Sequence, residues 1–207
     1  MKALHAVSAG LLPALCAACG RSCRSGAVLC TRCSRRLAEA EPLGGSGPLG
    51  LDRAWSSAAH EGVARDLVTS LKFRQLLPVA ELICERIAWL APAGLLSGSI
   101  VPVPTARLRT LARGFDPAAE IAAALAQRLD APFSPCLLRS GGGRQVGKRR
   151  AQRIAHPPQV RTRGDVPRSV LLIDDVLTTG ATLSACARAL RGGGAVRVVA
   201  VTFTRRL

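Results

Sequence analysis

Two acidic residues, Asp174 and Asp175, stand side by side at the end of the apolar run Val170-Leu-Leu-Ile173, and a Thr/Gly segment, Thr178-Thr179-Gly180-Ala181-Thr182, follows two residues later. Paired carboxylates are acceptors suited to the two hydroxyls of a ribose. The Thr/Gly segment offers successive backbone N–H groups and three hydroxyls where the pattern predicts a helix start, a geometry that cradles a phosphate dianion. Gly180 lets the backbone approach the ligand closely. A plain helix cap accounts for one Asp or Thr at such a turn, not for the whole run. A second chemistry sits near the amino terminus. Cys16-x2-Cys19, ten residues, then Cys30-x2-Cys33 is the spacing with which two tight turns each present a pair of thiolates to one tetrahedral Zn2+. Cys23 lies off that pattern, either as a replacement ligand or as a spare thiol. Cys84, Cys136 and Cys186 sit alone in apolar contexts and read as core residues.

The elements that must position these groups follow from periodicity. Ser169–Ile173 reads as a buried strand ending at the acids, Ala181–Arg191 as the helix behind the Thr/Gly loop, and Val196–Thr204 as the next strand. Upstream, Ala54–His60 reads as a strand, Gly62–Phe73 and Val79–Leu90 as helices, Ser99–Pro104 as a strand ending in a rigid turn, and Pro117–Leu129 as a helix opened by proline. Strands alternating with helices imply a parallel α/β sheet. Ligands of such sheets bind beyond the carboxyl ends of the strands. The Gly/Pro-rich stretch Glu41–Gly50 reads as a linker, so residues 1–42 are expected to form a zinc-ribbon module, 43–52 a linker and 53–207 the main domain. Ser140–Arg153, glycine-rich and then strongly basic, is expected to be a loop.

The chain carries 29 Lys plus Arg against 13 Asp plus Glu, a formal charge of +16. That balance favours anionic partners, whether nucleic acid, phosphorylated metabolites or an acidic membrane surface. Only Lys2, Lys72 and Lys148 are lysines, so the charge is almost all arginine, the better bidentate phosphate ligand. An Arg-rich, Ala-rich composition can equally reflect genome base composition. With 48% hydrophobic and 20% charged residues the chain is not of the disordered class. The amino-terminal apolar run is broken by His5 and Pro13 and no other stretch is long enough to span a bilayer, which leads us to expect a cytoplasmic protein in which clustered thiols hold metal.

IDDVLTTGAT, residues 173–182, resembles the 5-phosphoribosyl 1-pyrophosphate (PRPP) motif of type I phosphoribosyltransferases. The resemblance implies a type I phosphoribosyltransferase-like α/β fold, a parallel sheet flanked by helices, with the zinc ribbon as a small amino-terminal addition. It further implies that Asp174 and Asp175 hold the ribose, that Thr178, Thr179, Gly180, Ala181 and Thr182 hold the 5′-phosphate, and that Mg2+ is carried with PRPP. Thr178 stands where purine-salvage members place an Asp, which argues against purine salvage. A wider resemblance, to the ComF family of competence-associated proteins, is carried by the cysteine module, Leu71-Lys72-Phe73-Arg74, Val101-Pro-Val-Pro104, Arg113-Gly114-Phe115, the Gln145/Gly147/Arg150 region and the PRPP motif. Departures from that family are Asp116, Pro117 and the Gly141–Gly143 tract. By resemblance Arg107 and Arg109 lie where pyrophosphate is cradled, and Arg144, Lys148, Arg149 and Arg150 form a catalytic loop able to neutralise a leaving pyrophosphate. The same basic loop could equally be a solvated charge run or a patch for a nucleic-acid backbone.

Two functions are compatible with these signals. One is a PRPP-binding protein linked to DNA uptake, whose basic surface handles single-stranded DNA alongside other competence proteins. The other is an active Mg2+-dependent phosphoribosyltransferase acting on a nitrogen acceptor. Aromatic residues are few, so DNA binding would be mainly electrostatic.

Overall fold

The computed structural model describes residues 14–140 and 158–207. Two short strands, β1 (Ala14–Leu15) and β2 (Ser22–Cys23), pair antiparallel ahead of helix α1 (Thr31–Ala38). Then follow β3 (Leu43–Gly45), β4 (Arg53–Ala59), α2 (Gly62–Arg74), α3 (Leu77–Leu90), β5 (Ser99–Pro102), α4 (Arg107–Arg113) and α5 (Pro117–Leu129). The hairpin β6 (Leu137–Ser140) and β7 (Gln159–Thr162) precedes β8 (Ser169–Leu177), α6 (Ala181–Gly192) and β9 (Arg197–Arg205).

The central sheet has the order β3-β4-β9-β8-β5. Four strands run parallel and β3 joins the edge antiparallel, with Leu43 opposite Ser56. The expected parallel sheet is therefore a mixed one, flanked by helices on both faces. Leu43–Gly45, in the stretch read as a linker, is that antiparallel edge strand.

The period-2 alternation of the strands decides which helices cover which face. Leu171, Ile173, Val199, Val201 and Phe203 point to the side covered by α2, α3 and α5, where they join Leu67, Leu71, Ile83 and Ile121 in one buried cluster. Val170, Leu172, Val198 and Ala200 point to the other side, where α6 contributes Leu183, Cys186 and Leu190. Phe203 is fully buried, a burial worth about 1.5–3 kcal/mol relative to exposure. The three isolated cysteines, Cys84, Cys136 and Cys186, are buried in these clusters as their apolar contexts suggest.

The amino-terminal module is seated on the same core. Ala17 and Leu37 belong to the cluster under α2 and α3. The Ser70 hydroxyl donates to the Ala17 carbonyl, and Arg86 of α3 donates to the carbonyls of Ala40 and Ser57. Among the described residues no helix is long and apolar enough to cross a membrane.

Candidate functional site

The chain after β5 passes through α4 to α5 on one face, whereas the loop after the adjacent strand β8 leads into α6 on the other. Neighbouring strands whose outgoing loops part to opposite faces leave a crevice at their carboxyl ends, the place where open α/β sheets bind ligands. Asp174, Asp175 and the Thr/Gly loop border this crevice, and so does the segment Val103–Ala106. The Val103 amide donates to the Ile173 carbonyl at 2.9 Å, tying the two loops together. A separate cleft of about 500 Å3, lined by Leu96–Ser99, Leu129–Pro132 and Pro167–Ser169, opens at the opposite end of β5 and β8, away from these groups.

The sequence expectation ends the strand at Ile173, but β8 continues to Leu177 in register with β9. The pairing Asp174–Thr202 and Val176–Thr204 supplies the ladder that carries the strand past the acids. The two carboxylates consequently lie inside the strand and leave opposite faces of the sheet. Asp174 is on the α6 side, near Cys186, and its Oδ1 accepts from the Asp175 amide at 2.8 Å. Burial first, and the neighbouring Asp175 charge second, push its carboxyl well above the usual carboxylate range. Asp175 is buried on the α2 side, where Oδ2 is ion-paired with the Lys72 ammonium.

A ladder of buried hydroxyls backs Asp175. Ser56 and Thr202 share a hydrogen bond at 2.6 Å, the Thr202 hydroxyl donates to the Thr204 carbonyl, and the Thr204 hydroxyl donates to the Asp175 carbonyl at 3.3 Å. His60 Nδ1 is 2.8 Å from the Thr204 Oγ1. Burial, reinforced by the nearby Arg206 and Lys72 charges, keeps that imidazole below its ordinary pKa.

In the Thr/Gly loop Gly180 takes φ +73°, the left-handed conformation that favours glycine. A Cβ there would lie 2.4 Å from Cγ of Pro48, so the turn is seated directly on the segment leading out of β3. The amides of Ala181, Thr182 and Leu183 open α6 and have no acceptor within the helix. The Thr179 hydroxyl lies 3.4 Å from the first of them. Arg107 and Arg109 begin α4, immediately after the β5 loop. Arg144, Lys148, Arg149 and Arg150 fall outside the described residues.

Segments far apart in sequence meet above this crevice. The Gln75 side chain donates to the Arg113 carbonyl at 2.6 Å, and the Arg113 guanidinium stacks 5.5 Å from the Phe73 ring centroid. Asp116 accepts from the Ala118 amide as the cap of α5 and from both the amide and hydroxyl of Thr105, pinning the β5 loop to that helix. The Asp-Pro pair that departs from the family pattern is thus a working cap followed by an N1 proline. The Lys72 and Asp116 contacts were missed at the sequence level. An Asp before a proline-led helix was a usable signal for the second; for the first, Lys72 falls in the segment Leu71-Lys72-Phe73-Arg74 that carries the ComF resemblance, but nothing in the sequence pairs it with Asp175.

The cysteine cluster is formed as the spacing predicts. The Sγ atoms of Cys16, Cys19, Cys30 and Cys33 all lie within 4.8 Å of one another. Zn–S bonds of about 2.3 Å in a tetrahedron require sulfur atoms about 3.8 Å apart, and Cys19 Sγ to Cys30 Sγ is 3.8 Å. The four thiols therefore fit a zinc ion. Burial raises the Cys16 thiol, but backbone N–H groups of Cys19, Cys30 and Ala18 outweigh it and bring the pKa down to about 6, while burial and hydrogen bonds from the neighbouring thiols push Cys33 up, so the cluster without metal holds thiol and thiolate side by side. Cys23 is not part of this cluster; its thiol donates to the carbonyls of Ala14 and Ala27, both at 3.3 Å.

Residues 115–207, which hold the strand, acid pair, Thr/Gly turn and helix, match the phosphoribosyl transferase domain. The chain is also similar to competence protein ComFC of Bacillus subtilis (strain 168), 34% identical over 109 residues that make up 51% of this chain and 44% of that protein. It thus matches less than half the length of this curated relative. Among solved structures it is similar to adenine phosphoribosyltransferase from Leishmania donovani, at 18% identity and TM-score 0.38 over 84% of this chain and 79% of the other. It is also similar to orotate phosphoribosyltransferase from Aeropyrum pernix, at 21% identity and TM-score 0.37 over 82% and 78%.

Proposed function

We infer that the chain binds PRPP in the crevice outside β5 and β8 and serves DNA uptake, its basic surface handling single-stranded DNA. The observation that carries the PRPP reading is the position of IDDVLTTGAT, with the acids at the carboxyl end of β8 and the Thr/Gly turn opening α6 beside the β5 loop. Asp174 and Asp175 would accept the ribose hydroxyls and the amides and hydroxyls of Thr178–Thr182 the 5′-phosphate. Arg107 and Arg109 would face the pyrophosphate, with Mg2+ carried on the ligand. Arg144, Lys148, Arg149 and Arg150 keep their proposed place as the basic loop that closes over it. Zinc at Cys16, Cys19, Cys30 and Cys33 would be structural. The competence role rests on the ComFC relationship and on the +16 charge.

Calorimetric titration of PRPP with Mg2+ into wild type and an Asp174→Asn/Asp175→Asn variant tests the pocket. Loss of two hydrogen bonds to charged acceptors should weaken binding by roughly two to four orders of magnitude. No heat from folded, zinc-loaded wild type rules the PRPP reading out. DNA handling predicts affinity for a short single strand that falls steeply between low and physiological salt; a flat salt response removes it. The intact acid pair and phosphate turn also favour a second reading, transfer of the phosphoribosyl group to a nitrogen acceptor with pyrophosphate leaving. Pyrophosphate release in an acceptor screen would establish it.

A further inference from the structure

We propose that Lys72 is a positioning residue of the ribose site, acting by clamping the Asp175 carboxylate from α2, on the face of the sheet opposite Asp174 and α6. This rests on the PRPP reading above. Lys72 lies more than 100 residues before the motif, yet α2 delivers its ammonium to Asp175 Oδ2. Both groups are largely shielded, with side-chain exposures of 23% and 9%. A shielded carboxylate left alone beside a second one would turn toward water or take up a proton. With Oδ2 held by Lys72, the other carboxylate oxygen is left for a ribose hydroxyl.

The clamp is itself held. Leu71 and Leu67 bury α2 in the core, Ser70 is anchored to Ala17, and Gln75 at the end of the helix is anchored to Arg113. Asp174 is fixed independently by the Asp175 amide. Both acids are thus immobilised before any ligand arrives, and the ordering cost of binding falls accordingly. The lysine charge also offsets a carboxylate that would otherwise repel the incoming polyanion.

The test is PRPP titration into five zinc-loaded proteins: wild type, Lys72→Arg, Lys72→Met, Lys72→Met/Asp175→Asn and, as reference, Asp175→Asn. Lys72→Met should bind roughly ten- to a hundredfold more weakly, and Lys72→Arg should recover most of that loss. The double variant, which leaves no unpaired buried charge, should bind no more weakly than Asp175→Asn alone, because Lys72 acts only through that carboxylate. Should Lys72→Met fail to fold, the arginine and double variants decide the matter. Wild-type affinity in Lys72→Met, or a further loss in the double variant, overturns the role of Lys72 and leaves PRPP binding standing. Absence of binding by wild type overturns both.

Discussion

The cysteine cluster and the crevice proposed to take ribose and phosphate are built in opposite ways. All four thiols come from an 18-residue window, Cys16 to Cys33, and two tight turns suffice to gather them. The crevice draws on Pro48, Lys72, Val103–Ala106, Asp116 and the run from Asp174 to Thr182, and exists only when the whole sheet is assembled. A local site should depend on its metal, and a distributed site on its fold. The two share the bond from Ser70 to Ala17, so perturbing the cysteine cluster should loosen one anchor of α2 and leave the rest of the crevice in place.

The largest expected effect breaks the local site. Apparent zinc-binding free energies of about 10–16 kcal/mol in small modules are folding free energy for the segment concerned. Cys33→Ser should therefore cut bound zinc from one per chain to nearly none and abolish amide-exchange protection in residues 14–38. PRPP affinity should change by less than about tenfold. If zinc content and PRPP binding are lost together in metal analysis and calorimetry, the two sites are not separable.

Next in size is Gly180→Ala. A positive φ at a non-glycine residue costs about 1–3 kcal/mol, and the new methyl group would collide with Pro48. Urea unfolding should show that loss and calorimetry a weakened PRPP site, with zinc content unchanged. Asp116→Ala should cost about 1 kcal/mol as a lost cap, while Asp116→Asn, which keeps an acceptor oxygen, should lose less than half of that. Equal losses would mean that the Thr105 contact needs the charge.

The smallest effect runs the other way. Asp174 has its pKa raised in the fold above the unfolded value, so the folded state binds the proton more tightly and this group's contribution to stability falls as pH rises through the unfolded value toward the folded one. Asp174→Asn should then stabilise the ligand-free protein at neutral pH by about 1 kcal/mol and flatten stability against pH in that window, while weakening PRPP binding. A destabilised variant at pH 7 would show that the carboxylate is retained for structure.

The same contrast explains what could be read in advance. Helix α5 begins and ends where Pro117 and the apolar spacing of Ile121, Leu125 and Leu129 predict, because cap, proline and periodicity agree within one segment. The cysteine ligands were legible for the same reason. The extension of β8 through Asp174 and Asp175 was not, since strand pairing with β9 overrides the turn preference of two acids. Nor was β3: Leu43-Gly-Gly45 has linker composition, and only the open edge of β4 makes it a strand. The hairpin β6–β7 carries no period of its own and gains its shape by covering the face beside α6. Lys72 reads as one cation on a helix until the fold places Asp175 opposite it.

Pro48 against Gly180 sets a rule for how this chain can vary. Residues 46–52 have the composition of a tether, and a tether accepts insertions freely. Here one end is fixed by β3 and the other by Asp52, which accepts from the Val198 amide and pairs with Arg191. The span between them must deliver a ring to the back of the phosphate turn. Neither its length nor its letters can drift freely: Pro48 backs Gly180, Gly50 takes φ +90° against Ala187, and adding or deleting a single residue there would shift the Thr/Gly turn from behind.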